Sequence, residues 1–233
     1  MKKKAKVSLK KRIFTFIETI SVLVPLFLLI VQPAAAQNLQ NFTIDSFTSE
    51  YHLSRNSKNV AQLKVKETIS ATFPAANQNH GIIRAIPLTY NKNDLQLKLG
   101  SVRNEHGEKL SFSESSSNGN KLLKIGDPDI TVEGQHIYVI EYTMSNVVRS
   151  FDDHDEFYWD INGDQWQQPI TSVDTTIYID DPSIAASINV TKACYAGSYG
   201  EKDTACTIAI EKDGDEAAIK SAAKNGLQSG QPH

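Results

Sequence analysis

The sequence predicts an all-β fold, an antiparallel β-sandwich of immunoglobulin-like general architecture. Three observations lead there. From Phe42 onward the apolar residues recur with a period of two rather than 3.6. β-Branched and aromatic side chains dominate those runs. Turn signals, among them His106-Gly107, Asn118-Gly119 and Asn162-Gly163, interrupt them about every 8–15 residues.

Taken in order, Phe42–Leu53 reads as the first strand, closed by the polar turn Ser54–Asn59. Val60–Phe73 is the second, with Leu63, Val65, Ile69, Ala71 and Phe73 on one face. A loop, Pro74–His80, leads into the apolar segment Gly81–Pro87. Leu95–Val102, Lys109–Ser113 and Lys121–Ile125 are short strands, and Gln135–Val148 is a long one with apolar residues on both faces, as expected of a central strand. Glu156–Ile161 and Trp166–Ile170 flank Asn162-Gly163, a strong two-residue hairpin signal. Ser172–Ile179, Ala186–Tyr195, Thr204–Glu211 and Glu216–Ser221 complete the set, with no convincing helix among them. The polar, Gly-containing end Asn225–His233 reads as a frayed tail.

The N-terminus is of another kind. Residues 1–12 hold seven of the 24 Lys and Arg and no acid, and Ile13–Val31 is apolar apart from Glu18 and a few hydroxyl residues. The uninterrupted apolar part, Thr19–Val31, has the length of a signal-peptide core, shorter than the roughly 20 residues of a spanning helix. Pro33 and the small pair Ala34 and Ala36 then suit a signal peptidase. The expectation is a secretory signal over residues 1–36, with an uncleaved anchor as the rival, and a β domain over 37–224. Without the basic segment the chain carries 17 basic against 26 acidic residues, a balance of −9. Such a surface repels phosphate backbones and argues against nucleic acid as a partner.

Cys194 and Cys206 are the only cysteines. In an exported chain a lone pair is most simply a disulfide, here linking two strands across a Gly-rich turn and worth about 3 kcal/mol on chain entropy. A free thiol pair or a metal site is the alternative.

The stretch Phe151–Gln168 concentrates chemistry: Asp152, Asp153, Asp155, Glu156, Asp160, Asp164, His154 and both tryptophans. Asp160, Asn162 and Asp164 have the one-three-five spacing of a calcium loop, but Gln165 and Thr171 stand where an EF-hand needs Gly and Glu. A calcium site of another kind would draw on Asp152, Asp153 and Asp155. Tyr158, Trp159 and Trp166 are candidates for stacking on a glycan, and paired acids are the minimum for glycoside hydrolysis. Against these stands an acidic, solvated loop leading into a Trp-packed hairpin. No G-x-S-x-G, H-E-x-x-H or phosphate-binding loop occurs, so no enzyme is expected.

Glu67 falls in phase with the apolar face of its strand, so its carboxylate points inward and needs a partner. Arg84, set among apolar neighbours in Gly81–Pro87, is the arginine in a comparable setting. The expectation is a Glu67–Arg84 ion pair of structural rather than catalytic purpose.

Several fragments together resemble a known family. They are Val65-x-Glu67 ending at Phe73-Pro74, Gly81–Pro87, Tyr138–Tyr142, Asp155–Asp160, Gly163-x-x-Trp166-x-x-Pro169-Ile170 and the Cys194…Cys206 hairpin. In that order they are similar to the N-terminal extracytoplasmic region of the bacterial predicted membrane proteins of domain-of-unknown-function family 2207, over roughly Ile44 to Glu211. The resemblance implies a β domain outside the membrane, followed in typical members by transmembrane helices, which are not seen after Glu211 here. Membrane association would then run through the N-terminal segment or a missing C-terminal region. The functional expectation is an exported cell-envelope domain with an interaction or sensory role, its partner an envelope protein or glycan. The alternative is a calcium- or glycan-binding module centred on Phe151–Trp166.

Overall fold

The computed structural model describes residues 40–188, 192–197, 205–213, 216–223 and 226–228. The expected signal over residues 1–36 and the tip of the Cys194–Cys206 turn lie outside them.

Among the described residues the chain is almost wholly β. The strands are β1 (Thr43–Arg55), β2 (Ala61–Phe73), β3 (Ile82–Pro87), β4 (Thr89–Tyr90), β5 (Asn93–Asp94), β6 (Lys98–Arg103) and β7 (Phe112–Ser117). They continue as β8 (Asn120–Ile125), β9 (Gly134–Ser145), β10 (Val148–Ser150), β11 (Asp155–Phe157) and β12 (Val173–Ile179). A short helix, α1 (Pro182–Ser187), precedes β13 (Cys206–Asp213) and β14 (Glu216–Ala223).

A seven-stranded sheet in the order β13-β14-β12-β1-β2-β9-β6 forms one layer, and a three-stranded sheet, β3-β8-β7, contributes to the other. The named strands pair antiparallel except β1 with β12, which run parallel from Phe47↔Val173 to Leu53↔Ile179, a direction the Ile44↔Ile170 bridge continues. Inward side chains of the large sheet, Phe47, Tyr51, Leu63, Val65, Ile69 and Tyr142, share one core with Ile82, Ile86, Leu123 and Ile125 of the small one. Each such aliphatic side chain, fully buried, contributes about 1.5–3 kcal/mol. The opposite face is wet: Lys66–Glu50 and His52–Asp180 pair at 3.5 and 3.0 Å on exposed side chains, and such pairs contribute about 0–1 kcal/mol each.

Local turn chemistry explains where expectation and structure part. Asn118-Gly119 does make the β7–β8 hairpin, with both residues at positive φ (50° and 76°). Asn162-Gly163 does not. Gly163 takes φ +77°, but its N–H donates to Asp160 Oδ1 at 3.0 Å, closing a loop turn. Of the expected hairpin only Glu156 and Phe157 are strand, as part of β11, which pairs with β10 instead. The expected strand Ala186–Tyr195 is also corrected. Asp181-Pro182 starts a helix there, the Asp181 carboxylate accepting from the Ser183 and Ile184 N–H groups at 2.9 and 3.3 Å with proline just inside. Residues 192–195 carry no strand. Within the polar C-terminal stretch, Leu227 is buried and exchanges two backbone hydrogen bonds with Ile170, at 2.7 and 2.8 Å.

Cys194 and Cys206 form a disulfide, their Cα atoms 6.1 Å apart. It ties the segment after α1 to the start of edge strand β13.

Candidate functional site

The inner face of β2 carries Glu67 between Val65 and Ile69, wholly buried. β9 runs antiparallel beside it with Glu67 opposite Ile140. Tyr142, two residues on, is therefore Glu67's diagonal neighbour on the same face, a separation a long side chain spans. Arg84 enters from β3 in the other layer. Its Nε donates to Glu67 Oε2 at 2.8 Å and its Nη2 to Oε1 at 2.7 Å. The Tyr142 hydroxyl donates to Oε1 at 2.6 Å. The carboxylate thus accepts three hydrogen bonds, and the two charges meet in the planar fork geometry that suits guanidinium and carboxylate.

The rest of Arg84 is also used. Nη1 donates to the carbonyls of Ala85 and Asn162, both at 2.8 Å, and the guanidinium carbon sits 5.2 Å from the centre of the Phe47 ring. Burial alone would lower its pKa, but the Glu67 carboxylate more than offsets this and keeps the guanidinium charged. Burial, and then Glu67, push the Tyr142 phenol well above its ordinary range, so it remains a donor. A side chain at residue 163 would meet Arg84 Nη1 at 3.0 Å; glycine there lets the loop close over the arginine.

That loop is the consequence of the pair. Arg84 holds Asn162 from below, and the same Asn162 carbonyl accepts from Trp166 Nε1 at 2.9 Å. Trp166 is only 5% exposed and lies edge-on to Phe47 at 6.5 Å. With its ring in the core and its N–H occupied, Trp166 is a structural anchor, not a surface for stacking.

Above the anchored loop a cleft of about 170 Å³ opens toward solvent. Its walls include Tyr90, Tyr158, Trp159, Asp160, Asp164 and Gln165, with Arg84 at its inner end. Tyr158 is 52% exposed; Tyr90 and Trp159 are half-buried, their rings 6.1 Å apart. Trp159 is backed by Phe157, stacked at 6.3 Å.

The acidic candidates divide. Asp160 and Asp164 line the cleft. Asp152, Asp153 and Asp155 do not: they lie exposed around the β10–β11 turn, where Asp153 pairs with His154 at 2.7 Å and that hydrogen bond lowers its pKa. Among the described residues no three His, Cys, Asp or Glu side chains converge to hold a metal ion. Tyr90, Gln165 and Tyr142 were not singled out by the sequence. An isolated tyrosine in a polar stretch, or an inward tyrosine on an apolar face, carries no signal that separates site from filler.

Crowding by the cleft wall raises the Asp160 carboxyl to about 6; the Gly163 N–H and Arg84 pull it down, and Asp164 pushes it up. An unfolded aspartate titrates near 4, so between about pH 4 and 6 the native state keeps a proton that the unfolded chain releases. Stability from this group is therefore complete below about pH 4 and lost as pH rises through about 6. Solvent on the open side of Asp160 screens the effect, which is read as a slope. In thermal melts, the midpoint of Asp160→Asn minus that of the wild type is expected to grow from about pH 4 to about pH 6 and then level off. A constant difference would show an ordinary carboxyl.

A model of the family described as "Predicted membrane protein (DUF2207) N-terminal domain" matches residues 43–221. No curated protein matches the chain. Among solved structures it is similar to native leukotriene A4 hydrolase from Saccharomyces cerevisiae, at 10% identity and a TM-score of 0.44, over 84% of this chain and 32% of that one. It is also similar to a putative protease from Parabacteroides distasonis, at 12% identity and a TM-score of 0.41, over 81% and 36%. A third is an M1 zinc metallopeptidase from Deinococcus radiodurans, at 11% identity and a TM-score of 0.39, over 77% and 38%. The chain spans about a third of the length of these proteins.

Proposed function

The chain belongs to the DUF2207 family of predicted membrane proteins, matching its N-terminal domain, and on that premise we propose that its β domain is a non-catalytic binding module of the cell envelope, exported and working outside the membrane. The observation that carries this reading is the cleft. Tyr158 and Trp159 stand on a loop fixed from beneath by the buried Glu67–Arg84 pair, and Tyr90 of β4 faces the same cleft. Aromatic surface held rigid and open to solvent costs little entropy to bind, because the groups are ordered before the partner arrives. The export signal read from residues 1–36 supports an extracytoplasmic position, as does the disulfide, which belongs to an oxidising compartment.

Two readings lose support. For calcium held by Asp152, Asp153 and Asp155, no converging ligand set is seen among the described residues. A glycan platform loses Trp166 to the core and retains Tyr158 and Trp159.

The test is site-specific photo-crosslinking in cells producing the full chain. A photoreactive residue at Tyr158 is expected to give a discrete adduct that Trp159→Ala abolishes, while the same residue at Tyr178, exposed on the outer face of the large sheet, gives none. Equal adducts from both positions, or none from Tyr158, would refute the cleft as the contact site.

A further inference from the structure

We propose that the cleft receives the guanidinium of an arginine side chain presented by a partner protein. This rests on the cleft being the contact site, and adds what enters it.

Size is the first consideration. A cleft of about 170 Å³ is below the roughly 300–1,000 Å³ of sites that enclose whole small molecules, and suits the end of one side chain. Charge is the second. Arg84 lines the inner end, but its charge is matched by Glu67 and its Nε, Nη1 and Nη2 groups are all committed to protein acceptors. Asp160, which Arg84 offsets only in part, and Asp164 form no ion pair among the described residues and set the charge of the cleft. Asp160 accepts the Gly163 N–H through Oδ1, and Asp164 accepts from Gln165 Nε2 through Oδ1. Each keeps acceptor capacity for a donor from outside. The negative charge of Asp164 disfavours that of Asp160, and a cation between them relieves that.

The third consideration is the shape of the walls. The faces of Tyr90, Tyr158 and Trp159 attract cations through their ring quadrupoles. A planar guanidinium stacks on such faces while its edge meets a carboxylate; an ammonium, compact and strongly hydrated, gains less from the same walls. A neutral sugar would leave both carboxylates without their charge partner.

The probe is the tripeptide amide Gly-Arg-Gly, titrated into the ¹⁵N-labelled full chain while the two tryptophan indole signals are followed. The chain has two tryptophans, and Trp166, locked in the core, serves as the internal control. The Trp159 signal is expected to shift saturably and the Trp166 signal to stay. Asp160→Asn with Asp164→Asn should weaken binding by roughly tenfold or more, and Tyr158→Leu, which leaves the Trp159 indole in place as the reporter, by roughly two- to fivefold. The citrulline peptide, equal in shape but without the guanidinium charge, should not shift the signal. An equal response to citrulline, a neutral disaccharide binding where the arginine peptide does not, or no saturation at all would overturn the proposal. If the arginine peptide fails while the Tyr158 crosslink forms, the guanidinium is wrong and the contact site stands; loss of both removes both.

Discussion

Arg84→Leu is expected to destabilise the domain by about 3–5 kcal/mol, because it leaves the Glu67 carboxylate buried without its counter-charge. The loss includes more than the ion pair. The Asn162 and Ala85 carbonyls lose a donor, and Phe47 loses the cation over its ring. The measurement is urea denaturation followed by far-ultraviolet circular dichroism, which does not depend on either tryptophan. A double-mutant cycle gives the sharper reading. Glu67→Leu with Arg84→Leu removes both charges, and replacing a buried pair by apolar groups is often neutral, or stabilising by about 1–4 kcal/mol. The double variant should therefore be more stable than Arg84→Leu alone. If it is less stable than the wild type, the pair contributes more by its attraction than it costs in desolvation. If Arg84→Leu costs under about 1 kcal/mol, Glu67 is not the isolated acid that its burial implies.

Trp166→Ala is expected to cost about 3–5 kcal/mol, the range for truncating a large aromatic in a packed core. Trp159→Ala, on the cleft wall, should cost far less, since part of its ring already faces water. The same denaturation experiment on both variants separates anchor from surface. The cleft should also respond to the first change and not only to the second: without Trp166, the Asn162 carbonyl keeps Arg84 but loses the indole N–H that pins the loop from the core side. Equal losses from the two substitutions would mean that the loop is not held in the way described.

The buried pair was legible in the sequence because a strand writes its inward face directly. Glu67 shares a parity with Leu63, Val65 and Ile69, and an acid in that phase must find a partner. Tyr142 was not legible as the third member, since a tyrosine in phase with Tyr138 and Ile140 is an ordinary core residue until the register of β9 against β2 is known. The two Asn-Gly pairs show why turn chemistry alone misleads. Asn118 and Gly119 both take the positive φ a hairpin needs, but of the second pair only Gly163 does, and the Asn162 carbonyl is taken by Arg84 and Trp166, 78 and 4 residues away in sequence. The composition of Phe151–Gln168 drew attention to the right loop and overstated its unity: Asp160, Asp164, Tyr158 and Trp159 share the cleft, Asp152, Asp153 and Asp155 lie outside it, and Trp166 is beneath it. The helix at Pro182 was locally encoded by Asp181-Pro182 and was masked by the β-branched and apolar residues that follow.

The parallel pairing of β1 with β12 has a consequence in time. β1 leaves the ribosome long before β12, yet the two lie side by side inside the large sheet, and Ser49 meets Thr175 across 126 residues. At about 5–20 residues per second, roughly 6–25 s pass before that partner strand is made. During that interval β1 and β2 can zip together, while the other margin of β1 presents a row of unsatisfied amides and carbonyls to whatever extended chain is nearby. The nascent protein therefore has a window in which pairing with a stranger competes with pairing with itself, and the late arrival of Val173–Ile179 closes it.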